Sequence, residues 1–256
     1  MRPWRVAQAA ALGTSHLADS VPCQDSHLVD FVVAGERAKW LLVAVADGAG
    51  SASLSHLGSR IACTTAILHL KSNADALANV ETAGECVRQC FAAALREVED
   101  LAKREGASVR EFATTLQVAA IGDRHSVFGQ VGDGAIIWGE PGELRVAHWP
   151  DQAALNLTDF ITSAPLSETL HIAIAPSTIR RVACMTDGLA PLLLDFRTKG
   201  PHGPAFERLF ATCTAAPDPS DLSEDLAKFL DSPQVNHRTD DDKTLVLAVR
   251  NEEDAA

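Results

Sequence analysis

Hydrophobic and polar residues follow two different periods along this chain. The apolar run at residues 40–46 is bounded by charge on one side and by Asp-Gly on the other, which predicts a buried strand. Residues 52–71 and 82–103 instead carry apolar side chains every three or four positions, which predicts two amphipathic helices. The residues that set the helical period are Leu57, Ile61, Thr65 and Leu68 in the first segment and Val87, Phe91, Leu95, Val98 and Leu101 in the second.

Short β-type runs separated by Gly-Asp or Pro-Gly turns follow the second helix. Helices come in two blocks instead of alternating with strands, which favours an α+β fold over a doubly wound parallel sheet. No linker or repeat divides the chain, so we expect one domain over residues 1–256, with a core at about 5–250 and an acidic tail at 251–256. The other predicted strands lie at 5–12, 27–33, 114–121, 126–131, 135–138, 144–148, 171–175, 180–185 and 245–249, the other helices at 189–194, 204–214 and 222–230, and a loop at 150–165.

Composition and charge narrow the functional classes. Of 256 residues, 46% are hydrophobic and 22% are charged, which is ordinary for a globular protein, and the formal net charge is −12. No basic stripe appears, which argues against nucleic-acid binding. The N-terminus lacks the apolar segment of a signal peptide, and no apolar stretch approaches the roughly 20 residues that span a bilayer. We therefore expect a soluble, cytoplasmic protein that binds neither nucleic acid nor membranes. We also expect a monomer, although nothing in the sequence sets the oligomeric state.

The six cysteines predict structural thiols. No Cys-x-x-Cys pair occurs, several cysteines lie in apolar runs, and two of them stand four residues apart on one helix face. We expect reduced and mostly buried side chains. The cysteines are Cys23, Cys63, Cys86, Cys90, Cys184 and Cys213.

Five short aspartate clusters stand beside turns or β-type runs. Carboxylates are hard oxygen ligands of the kind that Mg²⁺ or Mn²⁺ prefers. One Asp-Gly is ordinary turn chemistry, but acids at the ends of separate strands can meet at one end of a sandwich. So many carboxylates together would repel one another strongly unless cations lay between them. The clusters are Cys-Gln-Asp at 23–25, Ala-Asp-Gly-Ala-Gly at 46–50, Gly-Asp-Gly at 132–134, Thr-Asp-Gly at 186–188 and Asp-Asp-Asp-Lys-Thr at 240–244.

These motifs, with Thr114-Thr115 between the second and third, resemble in order and context the metal-dependent serine/threonine protein phosphatases of the type 2C family. The resemblance runs from about residue 13 to residue 249, and Gly-Thr-Ser-His at 13–16 resembles a bacterial branch. It implies a four-layer α-β-β-α sandwich of two mainly antiparallel sheets flanked by helices. It also implies Mg²⁺ or Mn²⁺ as cofactor, with two ions and possible occupancy of a third site.

The resemblance implies a role for each matching residue. Asp47 matches the aspartate that bridges two ions, and Gly48 the glycine that contributes its carbonyl oxygen. Asp187 and Asp241 match the ligands of one of those ions. Asp25 matches an acid that supports the other ion, directly or through water.

The sequence also departs from the family pattern. Gln24 replaces an acid, and in the bacterial third site Asp133 is followed by Gly134 where a serine is usual. Ser20 occupies the position of an arginine that binds the substrate phosphate in many members, with Arg5, Arg60 and Arg180 as possible substitutes. Ala49 occupies the position of a histidine that some members use as a general acid.

Several neighbours of these motifs leave two interpretations open. His16 could bind phosphate or donate a proton, or it could stabilise a local turn, and His56 could face the site or lie solvated on its helix. Asp240 and Asp242 flank the expected ligand and could support it or be solvated. Thr114 and Thr115 predict packing and hydrogen-bonding roles, not nucleophiles.

The implied reaction is hydrolysis of phosphoserine and phosphothreonine in proteins, through Asp47, Asp187 and Asp241 and a water activated between two ions. The expected substrate is a serine/threonine kinase or its target in a signalling circuit. One alternative is a catalytically weak phosphatase-like module that binds a phosphoprotein partner. Another is a metal hydrolase of a small phosphorylated metabolite.

Overall fold

The computed structural model describes residues 4–34, 38–149, 158–175, 179–216 and 218–250. The chain divides into two compact units. The terminal unit comprises Met1–Cys23, Ala135–Trp149 and Ile179–Ala256, and the central unit comprises Gln24–Gly134 and Pro150–Thr178. The single domain over residues 1–256 stays a prediction. Residues 150–157 of the predicted loop at 150–165, and the tail at 251–256, lie outside the described residues.

The described strands are β1 (Trp4–Ala11), β2 (Ser26–Ala34), β3 (Ala38–Ala46), β4 (Leu116–Ile121), β5 (Ser126–Val131), β6 (Ala135–Glu140), β7 (Glu143–Val146), β8 (His171–Ala175), β9 (Arg181–Met185), β10 (Leu194–Asp195), β11 (Gly200–Pro201) and β12 (Lys243–Arg250). The described helices are α1 (Thr14–Asp19), α2 (Ser55–Ser72), α3 (Ala74–Ala78), α4 (Val80–Glu105), α5 (Leu166–Thr169), α6 (Ala190–Leu193), α7 (Gly203–Ala215), α8 (Pro219–Leu230) and α9 (Pro233–Asn236), with 3₁₀ turns at Val109–Phe112 and Asp187–Leu189.

The central unit is built on a five-stranded sheet of order β2-β3-β4-β5-β8, in which every pairing is antiparallel. Its core lies between this sheet and helices α2 and α4, and Phe91 and Phe112 are among its largest buried side chains. Ser26 pairs with Ala46 where β2 begins and β3 ends. Asp25 and Asp47, one residue beyond that pair, therefore stand at the same end of the sheet.

Helix α2 buries a different face from the one that its hydrophobic period predicts. Of the predicted stripe, Leu57 and Ile61 pack against the core, but Leu68 is 58% exposed, so the prediction is wrong at that position. The buried face consists of small side chains, since α2 packs closely against the sheet and α4. The buried residues of α2 are Ser55, Gly58, Ser59, Ala62, Cys63, Ala66, Ile67 and Leu70.

The terminal unit is built on a five-stranded antiparallel sheet of order β1-β12-β9-β6-β7. Helices α7 and α8 pack against β1 and β12, and Phe206 and Phe210 of α7 are fully buried in this core. Ala11 pairs with Lys243, and Leu245 pairs with Met185. The segments that follow β1 and β9 and precede β12 therefore meet at one end of the sheet.

Two antiparallel sheets flanked by helices confirm the predicted α+β class. None of the six cysteines forms a disulfide, and all except Cys23 are buried. Burial raises the pKa of the Cys86 and Cys213 thiols to about 11, which keeps them protonated at neutral pH. None of the described helices is long and apolar enough to cross a bilayer.

Candidate metal centre

Asp47 follows the last residue of β3, and two threonines fix its main chain. Its N–H donates to Thr115 Oγ1 at 2.9 Å. Its carbonyl oxygen accepts from the Thr115 N–H at 2.8 Å and from Thr114 Oγ1 at 2.9 Å. The predicted hydrogen-bonding role of Thr114 and Thr115 is thus confirmed, and it orients the residue that matches the bridging ligand.

Gln24 holds the turn that follows Asp47. Its carbonyl oxygen accepts from the Gly48 N–H at 3.1 Å and from Ser59 Oγ at 2.6 Å. Its side-chain amide donates to the Ala52 carbonyl at 3.2 Å. Gln24 therefore anchors the segment from Gly48 to α2, while the neighbouring Asp25 carboxylate is 7% exposed.

Asp133 lies in the turn between β5 and β6, as predicted. Gln130 Nε2 holds this turn by donating to the carbonyl oxygens of Gly132 and Gly134, at 3.2 and 2.8 Å. Thr158 Oγ1 donates to Asp133 Oδ2 at 2.5 Å. Sequence reasoning missed Thr158, because it lies in a segment without periodicity and no motif marks it.

In the terminal unit the structure brings Asp187 and Asp241 together. Thr186 Oγ1 accepts from the Thr244 N–H at 2.9 Å, and the Thr186 N–H donates to the Thr244 carbonyl at 3.2 Å. These bonds align the Thr-Asp-Gly turn with the segment before β12. A Cβ atom on Gly188 would lie 2.0 Å from the Asp242 carbonyl oxygen and 3.5 Å from Asp241 Cβ, so only glycine permits this approach.

The surroundings of Asp241 disfavour the charged form of its carboxyl. Burial raises the pKa of its carboxyl above the ordinary value, and the charges of Asp242 and Asp240 add to the effect. The Asp242 N–H, which donates to Asp241 Oδ1 at 2.8 Å, and the nearby His16 oppose it. A divalent cation beside Asp241 would favour its charged form, which is what a metal ligand requires.

The acids fall into two groups, each within its own unit. Asp25, Asp47, Gly48 and Asp133 stand next to strand ends at one end of the central sheet and are called the central cluster. Asp187 and Asp241 stand beside the close approach of Gly188 to Asp241 and Asp242 and are called the terminal cluster. Across the described residues, no three His, Cys, Asp or Glu side chains converge closely enough to enclose an ion by themselves. The donor set nevertheless fits Mg²⁺ or Mn²⁺, because these ions take one or two carboxylates and complete their shells with carbonyl oxygen and water.

The structure also locates the positions that depart from the family pattern. Ser20 ends α1 in the left-handed conformation, with φ of 59°, so it serves as a helix cap. Arg5 donates to the Cys213 carbonyl at 3.1 Å, and Arg180 lies 3.4 Å from Glu140. Arg60 is exposed on α2. These contacts do not identify any of the three arginines as a ligand of the substrate phosphate.

Comparisons with known proteins agree with this arrangement. The family model described as "Protein phosphatase 2C" matches residues 12–231. The chain is 34% identical over 259 residues to "Serine/threonine-protein phosphatase 3" of Escherichia coli (strain K12), covering 96% of this chain and 98% of that protein.

Solved structures show the same fold at lower identity. Serine/threonine phosphatase Stp1 from Staphylococcus aureus superposes with a TM-score of 0.63 at 14% identity, over 96% of this chain and 94% of that one. The catalytic domain of serine threonine protein phosphatase PstP, solved in complex with 2 manganese ions, gives a TM-score of 0.59 at 18% identity, over 96% and 97% of the two chains. The protein therefore belongs to the metal-dependent protein phosphatase 2C family and is a serine/threonine protein phosphatase.

Proposed function

We propose that this protein hydrolyses phosphoserine and phosphothreonine side chains of other proteins with two Mg²⁺ or Mn²⁺ ions. Asp47 would hold both ions, Gly48 would contribute its carbonyl oxygen, and Asp187 and Asp241 would ligate one of the ions. The observation that carries the proposal is the contact between the Thr-Asp-Gly turn and Asp241–Asp242, in which the Cβ position of Gly188 lies 3.5 Å from Asp241 Cβ.

The central cluster completes the proposed ligand set. Asp25 supports the second ion, directly or through water, because it is buried at the same sheet end as Asp47. Asp133 holds a third, weaker ion, and Thr158 fixes one of its oxygens. The manganese-bound PstP structure supports the choice of ion and the number two.

The chemistry divides between the ions and the chain. When bound, the two divalent ions would supply a water of lowered pKa as the nucleophile near neutral pH. The chain's own part is to hold four carboxylates on fixed main chain, so that little reorganisation is needed at the moment of reaction. Five of the six thiols are buried and take no part in it.

A phosphoprotein substrate follows from membership of the family, and a serine/threonine kinase or its target is the substrate that we propose. We also propose that the protein acts as a monomer in the cytoplasm. No observation in the described structure favours the binding-module or small-metabolite alternatives.

The test is hydrolysis of p-nitrophenyl phosphate and of a phosphothreonine peptide with Mn²⁺, with Mg²⁺ and with EDTA. Asp47→Asn and Asp187→Asn are expected to lose nearly all turnover while remaining folded. Asp100→Asn is the matched control, because Asp100 is exposed on α4 and forms an ion pair with Lys103 on the same helix, away from the proposed ligands. Turnover in EDTA, or turnover near that of the parent in either site variant, would refute the two-ion assignment.

A further inference from the structure

We propose that residues 12–16, which are the two residues before α1 and the first turn of that helix, hold the Asp241 carboxylate in place for metal binding, with His16 as a positioning residue. This segment is called the positioning loop below. This inference rests on the proposed function, in which Asp241 is a ligand. It gives the Gly-Thr-Ser-His motif a physical role that neither its composition nor its place in the sequence reveals.

Asp242 is the centre of the arrangement, and both of its carboxylate oxygens are engaged by this loop. The Gly13 N–H donates to Asp242 Oδ1 at 2.6 Å, across 229 positions of sequence. His16 Nδ1 lies 3.0 Å from Asp242 Oδ2 in a contact that has the distance of an ion pair without the alignment of a hydrogen bond. The Asp242 side chain is 2% exposed, so it faces this loop and not the solvent.

Further contacts on either side of Asp242 join the same two segments. Ser15 donates to the Asp240 carbonyl oxygen twice, from its N–H at 3.0 Å and from its hydroxyl at 2.7 Å. The fully buried Lys243 donates from Nζ to the Leu12 carbonyl at 3.3 Å and to Asn236 Oδ1 at 2.7 Å. Residues 240, 242 and 243 are thus held by the loop, and Asp241 lies between them.

The Asp241 carboxylate is oriented through Asp242. The Asp242 N–H donates to Asp241 Oδ1 at 2.8 Å, so the orientation of the Asp242 peptide sets that of the Asp241 carboxylate. A shift of Asp242 would therefore move the ligand. Side chains that orient metal ligands in this way typically contribute 10- to 100-fold to metal affinity.

The glycine of the motif is explained by the same packing. A Cβ atom on Gly13 would lie 2.5 Å from the Asp240 carbonyl oxygen and 2.5 Å from the Asp241 carbonyl carbon. The loop can approach the main chain of the ligand segment this closely only without a side chain at that position.

The experiment measures Mn²⁺ affinity by calorimetry in the absence of substrate, with kcat and KM for p-nitrophenyl phosphate at saturating Mn²⁺. His16→Ala is expected to weaken Mn²⁺ binding by roughly tenfold. His16→Asn should recover most of the loss, because its amide nitrogen takes the place of Nδ1. His16→Gln should not, because its longer side chain does not place the amide nitrogen at the position of Nδ1, and Asp242 Oδ2 loses its contact with residue 16.

A second variant covers the case in which His16→Ala does not fold. Ser15→Ala removes only the exposed hydroxyl bond to Asp240 and is expected to weaken Mn²⁺ binding by about two- to tenfold, the worth of one hydrogen bond. If folded Ser15→Ala bound Mn²⁺ as tightly as the parent, the positioning role of the loop would be refuted. The same result in folded His16→Ala would also refute it.

Asp241→Asn separates the two proposals. If Asp241→Asn loses Mn²⁺ affinity while His16→Ala and Ser15→Ala keep it, the positioning loop is refuted and the proposed function stands. If Asp241→Asn itself binds Mn²⁺ as the parent does, the proposed ligand set fails and the positioning role fails with it. An unchanged affinity with a raised KM in His16→Ala would place His16 on the substrate instead, and would also overturn the inference.

Discussion

Replacing Thr115 by valine and by serine separates the support of Asp47 from the stability of the core. Thr115 is 2% exposed, and its hydroxyl accepts the Asp47 N–H at 2.9 Å. Thr115→Val keeps the branched shape and removes the acceptor. Thr115→Ser keeps the acceptor and removes one buried methyl group.

The two variants are expected to lose similar amounts of stability for different reasons. In Thr115→Val the partly buried Asp47 N–H loses its partner, which costs about 1–3 kcal/mol in the free energy of unfolding. In Thr115→Ser the loss of one buried methyl group costs about 0.5–1.5 kcal/mol. Stability alone therefore does not distinguish them.

Metal binding does distinguish them. Because only Thr115→Val removes one of the three hydrogen bonds that hold the main chain of Asp47, we expect it to bind Mn²⁺ roughly tenfold more weakly, a change of about 1.4 kcal/mol. Thr115→Ser should bind Mn²⁺ as the parent does. Urea unfolding in EDTA gives the stabilities, and calorimetric titration with Mn²⁺ gives the affinities. If both variants bound Mn²⁺ equally, whether tightly or weakly, the argument that Thr115 orients Asp47 through its hydroxyl would be refuted.

Two further predictions concern the terminal cluster. Gly188→Ala should lower the free energy of unfolding by about 1–3 kcal/mol and weaken Mn²⁺ binding, because its Cβ would lie 2.0 Å from the Asp242 carbonyl oxygen. Gly203→Ala is the control, because the space around Gly203 is open. Equal urea midpoints for the two variants would contradict the packing argument. Asp241→Asn should raise the unfolding temperature in EDTA at pH 7. The pKa of the Asp241 carboxyl in the folded protein is raised above 3.8, so the stability that its protonated form contributes is complete below pH 3.8 and is lost as the pH rises through the folded-state pKa. At pH 7 the charged carboxylate therefore destabilises the metal-free protein, and a neutral asparagine does not. In saturating Mn²⁺ the parent should instead be more stable than Asp241→Asn, since ligand at 100 times Kd adds about 2.7 kcal/mol to the stability of a protein that binds it. An Asp241→Asn variant less stable than the parent in EDTA at pH 7 would contradict the raised pKa of Asp241.

The sequence was sufficient to place the ligand residues at the ends of strands. The apolar run that ends at Ala46 puts Asp47 beyond β3, and similar runs place Asp133 and Asp187 after β5 and β9. These predictions succeed because a buried strand has a strong local signal and because Asp-Gly marks where it stops. Motif order then indicated which strand ends belong together.

The supporting contacts could not be predicted in the same way. The bond between Gly13 and Asp242 joins residues 229 positions apart, and no local pattern reports such a pairing. The short helix α1 was missed because its 6 residues bury no side chain and so carry no apolar period. The buried face of α2 was misjudged because Gly58, Ala62 and Ala66 pack tightly without being strongly hydrophobic.

The most direct test of the proposed two-ion site is the number of Mn²⁺ ions that each chain binds tightly, measured by calorimetric titration. We expect two ions for the parent protein, one for Asp187→Asn and none for Asp47→Asn, since Asp47 is the proposed ligand of both ions. A parent that binds fewer than two ions, or an Asp47→Asn variant that still binds two, would contradict it.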